Sequence, residues 1–229
     1  MILGGLQKLT LLDFPEHVAC TVFTLGCNFR CPFCHNAPLV QGENTPQYDV
    51  EEFFAYLEKR KGILDGVAVT GGEPLLQKDI EEFLGRIKEM GYAVKLDTNG
   101  AFPDKLQSIL QKGLADFVAM DIKNAPDRYE ETAGCTGILE KVQKSAKLLM
   151  EGDTPFEFRT TAVQQLHTAE NFRDIGRWIA GTSRYYIQQF QDSGNILEQG
   201  YTAPTKEEME TYLQAVREFV PKAELRGIS

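Results

Sequence analysis

Six runs of strand-forming residues alternate with apolar stripes at helical spacing along this chain: Val18–Leu25, Gly66–Thr70, Ala93–Thr98, Asp116–Ile122, Pro155–Val163 and Arg184–Phe190. Short apolar or period-two runs rich in branched and aromatic residues are the pattern of β-strands. The last five begin at residues 66, 93, 116, 155 and 184, so each interval has room for one helix and a return loop. Repeated βα units of this size build a parallel sheet through right-handed crossovers. A closed eight-fold barrel takes about 250 residues. The 229 residues here carry six such strands, so the pattern predicts an α/β fold, a partial (β/α)6 barrel forming a single domain over 1–229.

The helices between the strands are equally readable. Val50, Phe53, Phe54 and Leu57 form one apolar stripe behind a capping residue, Asp49, with Glu52 three positions on. Ile80, Phe83, Leu84, Ile87 and Met90 form the next, stopped at Gly91; Leu106, Ile109 and Leu110 form a third, stopped at Gly113. Helices follow around 138–150 and 170–180, and a last one carries Met209, Tyr212, Leu213, Val216 and Phe219 before Pro221. These stripes are core packing. The longest irregular pieces are 41–49 and 191–205.

Composition narrows the function classes. The formal net charge is -9, which disfavours a general binder of nucleic-acid phosphates. No apolar run reaches the eighteen or so residues of a membrane span. The start, Met1-Ile2-Leu3-Gly4-Gly5, lacks the basic-then-apolar pattern of a secretory signal. The expectation is a soluble, cytoplasmic protein without nucleic acid or membrane as partner.

Three of the five cysteines fall in one eight-residue segment, Cys27-Asn28-Phe29-Arg30-Cys31-Pro32-Phe33-Cys34, directly after the first strand. An odd total fits metal ligation or catalysis better than a disulfide framework. One reading is a closed zinc site of three thiolates and His35. Structural zinc, however, usually draws ligand pairs from two separated segments. The reading we favour is a cubane iron–sulfur cluster: saturated clusters take four cysteines, so three leave one iron open. Cys20, inside a strand, and Cys135, far along the chain, read as structural.

Ligands of parallel α/β folds bind at the C-terminal ends of the strands. The distinctive residues of this chain lie at those ends. The cysteine loop follows the first strand, Gly71-Gly72-Glu73-Pro74 the second, and Asp97-Thr98-Asn99-Gly100 closes the third. Asp121 and Lys123 close the fourth, Arg159 lies within the fifth, and Gln188 and Gln189 lie within the sixth. Each alone is a common turn, cap or surface residue. Together on one rim they define a candidate site.

At these residues the sequence resembles the radical S-adenosylmethionine (SAM) superfamily, whose cluster motif C-x3-C-x2-C matches Cys27, Cys31 and Cys34 with the aromatic Phe33 before the last cysteine. Within it, the segments Gly5 to Pro15 and Thr21 to Asn36 resemble the activating proteins of anaerobic (class III) ribonucleoside-triphosphate reductases, relatives of pyruvate formate-lyase activase. The resemblance implies one [4Fe-4S] cluster on Cys27, Cys31 and Cys34, with SAM chelating the open iron through its amino and carboxylate groups. It implies reductive cleavage of SAM to methionine and a 5'-deoxyadenosyl radical, which takes hydrogen from a backbone glycine of a partner enzyme. Flavodoxin or ferredoxin would be the electron donor, with Arg30 beside the cluster loop as a docking charge.

By the same resemblance, Gly71 and Gly72 let backbone approach the methionine end of SAM, and Glu73 orients its amino group. Phe33 and the backbone near His35 border the adenine. Asp97, Thr98 and Asp121 match a monovalent-cation site beside the SAM carboxylate, and Lys123 and Arg159 match basic residues facing SAM. The late-strand histidine of pyruvate formate-lyase activase is absent, so that either Gln189 substitutes for it or the contact is missing. Only fifteen residues separate Cys34 from Val50, too few for the inserted ferredoxin-like domain of other activases, hence one cluster. His17 and His167 carry no functional assignment. Other readings are activation of another glycyl-radical enzyme such as pyruvate formate-lyase, a radical SAM enzyme acting on a small molecule or nucleotide, as in the 7-deazaguanine pathway, and a zinc-binding module.

Overall fold

The computed structural model describes residues 1–41, 47–192 and 194–228. One eight-stranded sheet runs through it, with every strand beside its sequence neighbour. The strands are β1 (Leu3–Thr10), β2 (Ala19–Thr24), β3 (Gly66–Gly71), β4 (Ala93–Thr98), β5 (Phe117–Asp121), β6 (Phe156–Ala162), β7 (Tyr185–Gln189) and β8 (Glu224–Arg226). From β2 to β8 all neighbours are parallel, and β1 runs antiparallel to β2. No pairing joins β8 back to β1 among the described residues, so the barrel is open.

Six helices fill the crossovers: α2 (Val50–Glu58), α3 (Ile80–Glu89), α4 (Pro103–Gln111), α6 (Leu139–Glu151), α7 (Ala169–Trp178) and α8 (Lys206–Arg217). Two short ones, α1 (Ala37–Gln41) and α5 (Tyr129–Ala133), lie in the loops after β2 and β5. The local signals act as read. Asp49 caps α2 by accepting from the Glu51 and Glu52 amides (2.8 and 2.9 Å), and Gly91 and Gly113 follow α3 and α4 with positive φ. No helix among the described residues is long and apolar enough to cross a membrane.

All six expected strands form, as β2–β7. The sheet also carries two strands outside the expected six. In β1, two glycines and a run of polar residues leave no alternation to read, and β8, at three residues, is too short to show a period. Of the irregular stretch expected at 41–49, residues 42–46 lie outside the described residues, as does Ser193 of the other.

Side chains alternate between the two faces of each strand. One set, Val67, Val69, Val94, Leu96, Val118, Met120, Phe158 and Ile187, is fully buried in a core shared with Phe53, Leu57, Phe83, Ile87 and Phe172 of the helices. The other set faces the barrel interior and includes the charged Lys95, Asp97, Asp121, Glu157 and Arg159. The buried Glu157 accepts both guanidinium nitrogens of Arg226 at 3.1 Å, and Arg226 lies over the Tyr186 ring. At the N-terminal ends of the strands, Phe14 packs against Ala19 and Phe117 and closes the bottom. Apolar burial outside and ion pairing inside thus hold the barrel together.

The helix-facing core predicts a large loss on truncation. Phe158→Ala removes a fully buried ring and is expected to cost about 3–5 kcal/mol. The check is the midpoint of urea unfolding, which falls while the slope stays constant.

Candidate active site at the C-terminal rim of the sheet

The loop after β2 is fastened on both sides by backbone hydrogen bonds. Gly26 donates to Leu39 (2.8 Å), Arg30 donates to Ala133 (2.9 Å), and the Glu73 amide donates to the Gly26 carbonyl (2.8 Å). Gly72 donates to Thr24 at 2.9 Å, and a Cβ at Gly72 would collide with the Gly26 carbonyl oxygen. Only glycine permits that approach. Arg30, expected as a docking charge, turns its guanidinium back onto the carbonyls of Cys27 (2.6 Å) and Phe29 (2.8 Å).

The loop brings Cys27, Cys31 and Cys34 to the wall of one cavity of about 280 Å³. Cys31 is buried and the other two are half-buried. Burial raises the thiols of Cys27 and Cys31 to about 11 and 12 and also raises Cys34, while the nearby ammonium of Lys123 pulls all three back. The Phe29 amide donates to Cys27 Sγ at 3.4 Å, and Asn99 Nδ2 donates to it at 3.7 Å and to Asn28 at 2.9 Å. Among the described residues no three His, Cys, Asp or Glu side chains converge tightly enough to hold one metal ion. A cubane offers each thiolate a different iron, whereas a single zinc needs its ligands on one point. The donor set therefore fits the cluster. Cys20 and Cys135 are not among the residues lining this cavity.

Phe33, Gly71, Gly72, Asp97, Thr98, Asp121, Lys123 and Arg159 share the cavity wall with the cysteines, as expected. Phe33 meets Phe190 edge to face at 6.4 Å, and the His35 ring stacks on the same Phe190. Arg159 donates to Asp97 at 3.2 Å and to Asp121 at 3.1 Å; Lys123 donates to Asp121 at 2.9 Å. Burial opposes ionisation of Asp121, yet Lys123 and Arg159 hold its carboxyl down at about 2. Asp97 is likewise held low against burial, by Arg159 and Lys95. His167 donates to the Lys123 carbonyl at 2.9 Å and accepts from the Val163 amide, a bracing role in keeping with its reading as structural.

Two of the expected residues lie off this wall. Glu73 does not line the cavity. It is fully buried behind the wall, one carboxylate oxygen accepting from the Leu75 amide (3.0 Å) and the Thr98 hydroxyl (2.8 Å), the other from the Asn99 amide (2.7 Å). Burial raises its carboxyl to about 7 in spite of these donors. Its oxygens serve Leu75 and the turn after β4. Gln189 donates to the Pro204 carbonyl at 2.8 Å and is not part of this wall; its neighbour Gln188 is. Successive strand residues face opposite sides, which is why Gln188 and not Gln189 lines this wall.

Sequence reasoning also missed Asn36, Asn99 and Thr161 in the wall, and Lys95 beneath it. Asn99 sits in the turn already singled out. Lys95 lies two residues before Asp97 on the same strand, so period two would have found it.

A family model described as the Radical SAM superfamily matches residues 21–178. The chain is 32% identical over 214 residues to a protein of Methanocaldococcus jannaschii named as a candidate glycyl-radical enzyme activating enzyme, covering 91% of this chain and 88% of the relative. It is 29% identical over 167 residues to a 7-carboxy-7-deazaguanine synthase of Methanopyrus kandleri, covering 62% and 66%. In fold it is similar to SAM-bound SuiB of Streptococcus suis, with a TM-score of 0.69 and 15% identity over 89% of this chain and 49% of that one.

Two measurements check this geometry in the iron-free protein. A free cysteine titrates near 8.5, so alkylation of Cys27 and Cys31 is expected to be slow at pH 8 and to keep rising through pH 10; a plateau near pH 8.5 contradicts the burial. Glu73→Gln keeps one acceptor oxygen for Leu75 and Thr98 but turns an amide donor toward the Asn99 N–H, and is expected to cost about 1–3 kcal/mol in thermal denaturation. Unchanged stability would mean that Glu73 serves only a ligand.

Proposed function

We propose, from the premise that this chain belongs to the radical SAM superfamily, that it is a glycyl-radical-enzyme activase whose partner is an anaerobic ribonucleoside-triphosphate reductase. The observation that carries the reading is the match to the Methanocaldococcus relative, which runs nearly end to end in both chains. Cys27, Cys31 and Cys34 would hold one [4Fe-4S] cluster and leave one iron for the amino and carboxylate groups of SAM. That cluster, when bound, supplies the electron that cleaves the sulfonium bond of SAM. A cytoplasmic flavodoxin or ferredoxin would renew it.

The chain's own residues bind and orient. Lys123 and Arg159 turn positive charge into the cavity, suited to a carboxylate, and Asp97 and Asp121 fix their direction through charge-assisted bonds. Gly71 and Gly72 offer backbone without side chains, and Phe33 with the backbone at His35 would border the adenine. Asn99 donates to the Cys27 sulfur, and hydrogen bonds to cluster sulfurs shift the reduction potential. Glu73 braces this wall from behind by accepting from the Thr98 hydroxyl.

A groove lined by Gln189, Gln191, Asp192, Arg226 and Gly227 adjoins the cavity and shares His35, Thr161 and Gln188 with it. Amide side chains suit a polypeptide backbone, so this groove is the path by which a glycine-bearing loop would enter. The second reading, a small-molecule or nucleotide substrate, is favoured by the match to the deazaguanine synthase over 62% of the chain.

The test is anaerobic. Reconstituted protein, SAM and reductant are mixed with the reductase, and 5'-deoxyadenosine and a glycyl radical signal are followed together. Both are expected with wild type and neither with Cys31→Ala. Deoxyadenosine without a protein radical in this or any other glycyl-radical enzyme, accompanied by turnover of a small molecule, would establish the second reading.

A further inference from the structure

Lys95 is the most deeply buried ammonium of the barrel interior, 2% exposed on β4. Lysine is almost never buried this fully unless it is paired. Its partner is Asp97, on the same face of the strand, whose Oδ1 accepts from its ammonium. Arg159 takes Asp97 Oδ2 with one nitrogen and Asp121 Oδ1 with another, and Lys123 takes Asp121 Oδ2. Every oxygen of the two carboxylates thus carries a cation of the chain itself. The Thr98 hydroxyl is turned toward Glu73.

This arrangement does not fit the monovalent cation expected on Asp97, Thr98 and Asp121. A metal ion would meet no uncommitted carboxylate oxygen and would face three positive side chains against two negative ones. Without Lys95 the balance would be two against two, with Asp97 Oδ1 open, and a cation would be drawn in. We propose that the Lys95 ammonium takes the place of that metal ion: it neutralises Asp97 from beneath, leaves the surplus positive charge of Arg159 and Lys123 facing the cavity, and makes SAM binding independent of K+ or Na+. The inference rests on the use of SAM and not on the identity of the partner. Lys95 acts through Asp97 and is a positioning residue.

The test is the Kd of SAM for cluster-loaded protein, measured anaerobically by calorimetry with tetramethylammonium, Na+ or K+ as the sole monovalent cation. Wild type is expected to give the same Kd in all three. Lys95→Met is expected to bind SAM about tenfold more weakly in tetramethylammonium, the loss of one charge-assisted contact, and to recover much of that loss in K+. Thallium(I) binding, read by its own magnetic resonance signal, is expected in Lys95→Met and absent in wild type. Wild-type affinity that falls severalfold when K+ and Na+ are withdrawn overturns the proposal whether or not the variant folds. So does a folded, cluster-bearing Lys95→Met with no cation dependence. Failure to bind SAM in every buffer would instead overturn the SAM reading itself.

Discussion

The seam between the β2 loop and the end of β3 is the contact on which the site depends. Gly72 donates to Thr24, Glu73 donates to Gly26, and Gly72 leaves no side chain between the two backbones. A parallel sheet sets the distance between β2 and β3, but the seam fixes where the cysteine loop begins. Arg30 then ties the loop to itself through two carbonyls, and its amide ties it to the end of α5. The three thiols reach one cavity because the backbone holding them is pinned at both ends. Loops carry functional groups well when a rigid scaffold positions them.

Electrostatics completes what the seam begins. An interior lined by Lys95, Asp97, Asp121, Glu157, Arg159 and Arg226 would be costly if any charge stood alone, since breaking a buried pair leaves an uncompensated ion. Pairing removes that penalty and also orders the side chains. Asp121 is drawn between Lys123 and Arg159, and Glu157 grips Arg226 with both oxygens. The positive groups at the cavity are therefore preorganised, with their direction set before any ligand arrives.

Much of this was legible in the sequence, for physical reasons that differ by element. Strands β2 to β7 are buried on the helix side by Val, Leu, Ile and Phe, which makes them readable, whereas β1, with its glycines and polar run, and the short β8 earn their place through pairing alone. The cysteine spacing and the rim positions of Asp97, Asp121 and Arg159 were readable, and the fold brings them to one cavity wall. The burial of Glu73 was not legible, because its three donors come from Leu75, Thr98 and Asn99, two of them in a different strand and turn. Which of Gln188 and Gln189 faces the cavity turns on one residue of strand phase. Lys95 shares a strand face with Asp97 and was findable by period two, but its pairing with Asp97 beside Arg159 shows only in the fold.

The central claim is that three thiolates on one pinned loop hold a cluster with an iron left open for SAM. The most direct measurement is electron paramagnetic resonance of the reconstituted, reduced protein before and after SAM is added, with substrate protein omitted. The account predicts a reduced [4Fe-4S] signal whose g-values shift on adding SAM. A signal that SAM leaves unchanged would mean a fully ligated cluster, and a protein that takes up zinc and gives no signal would contradict the account altogether.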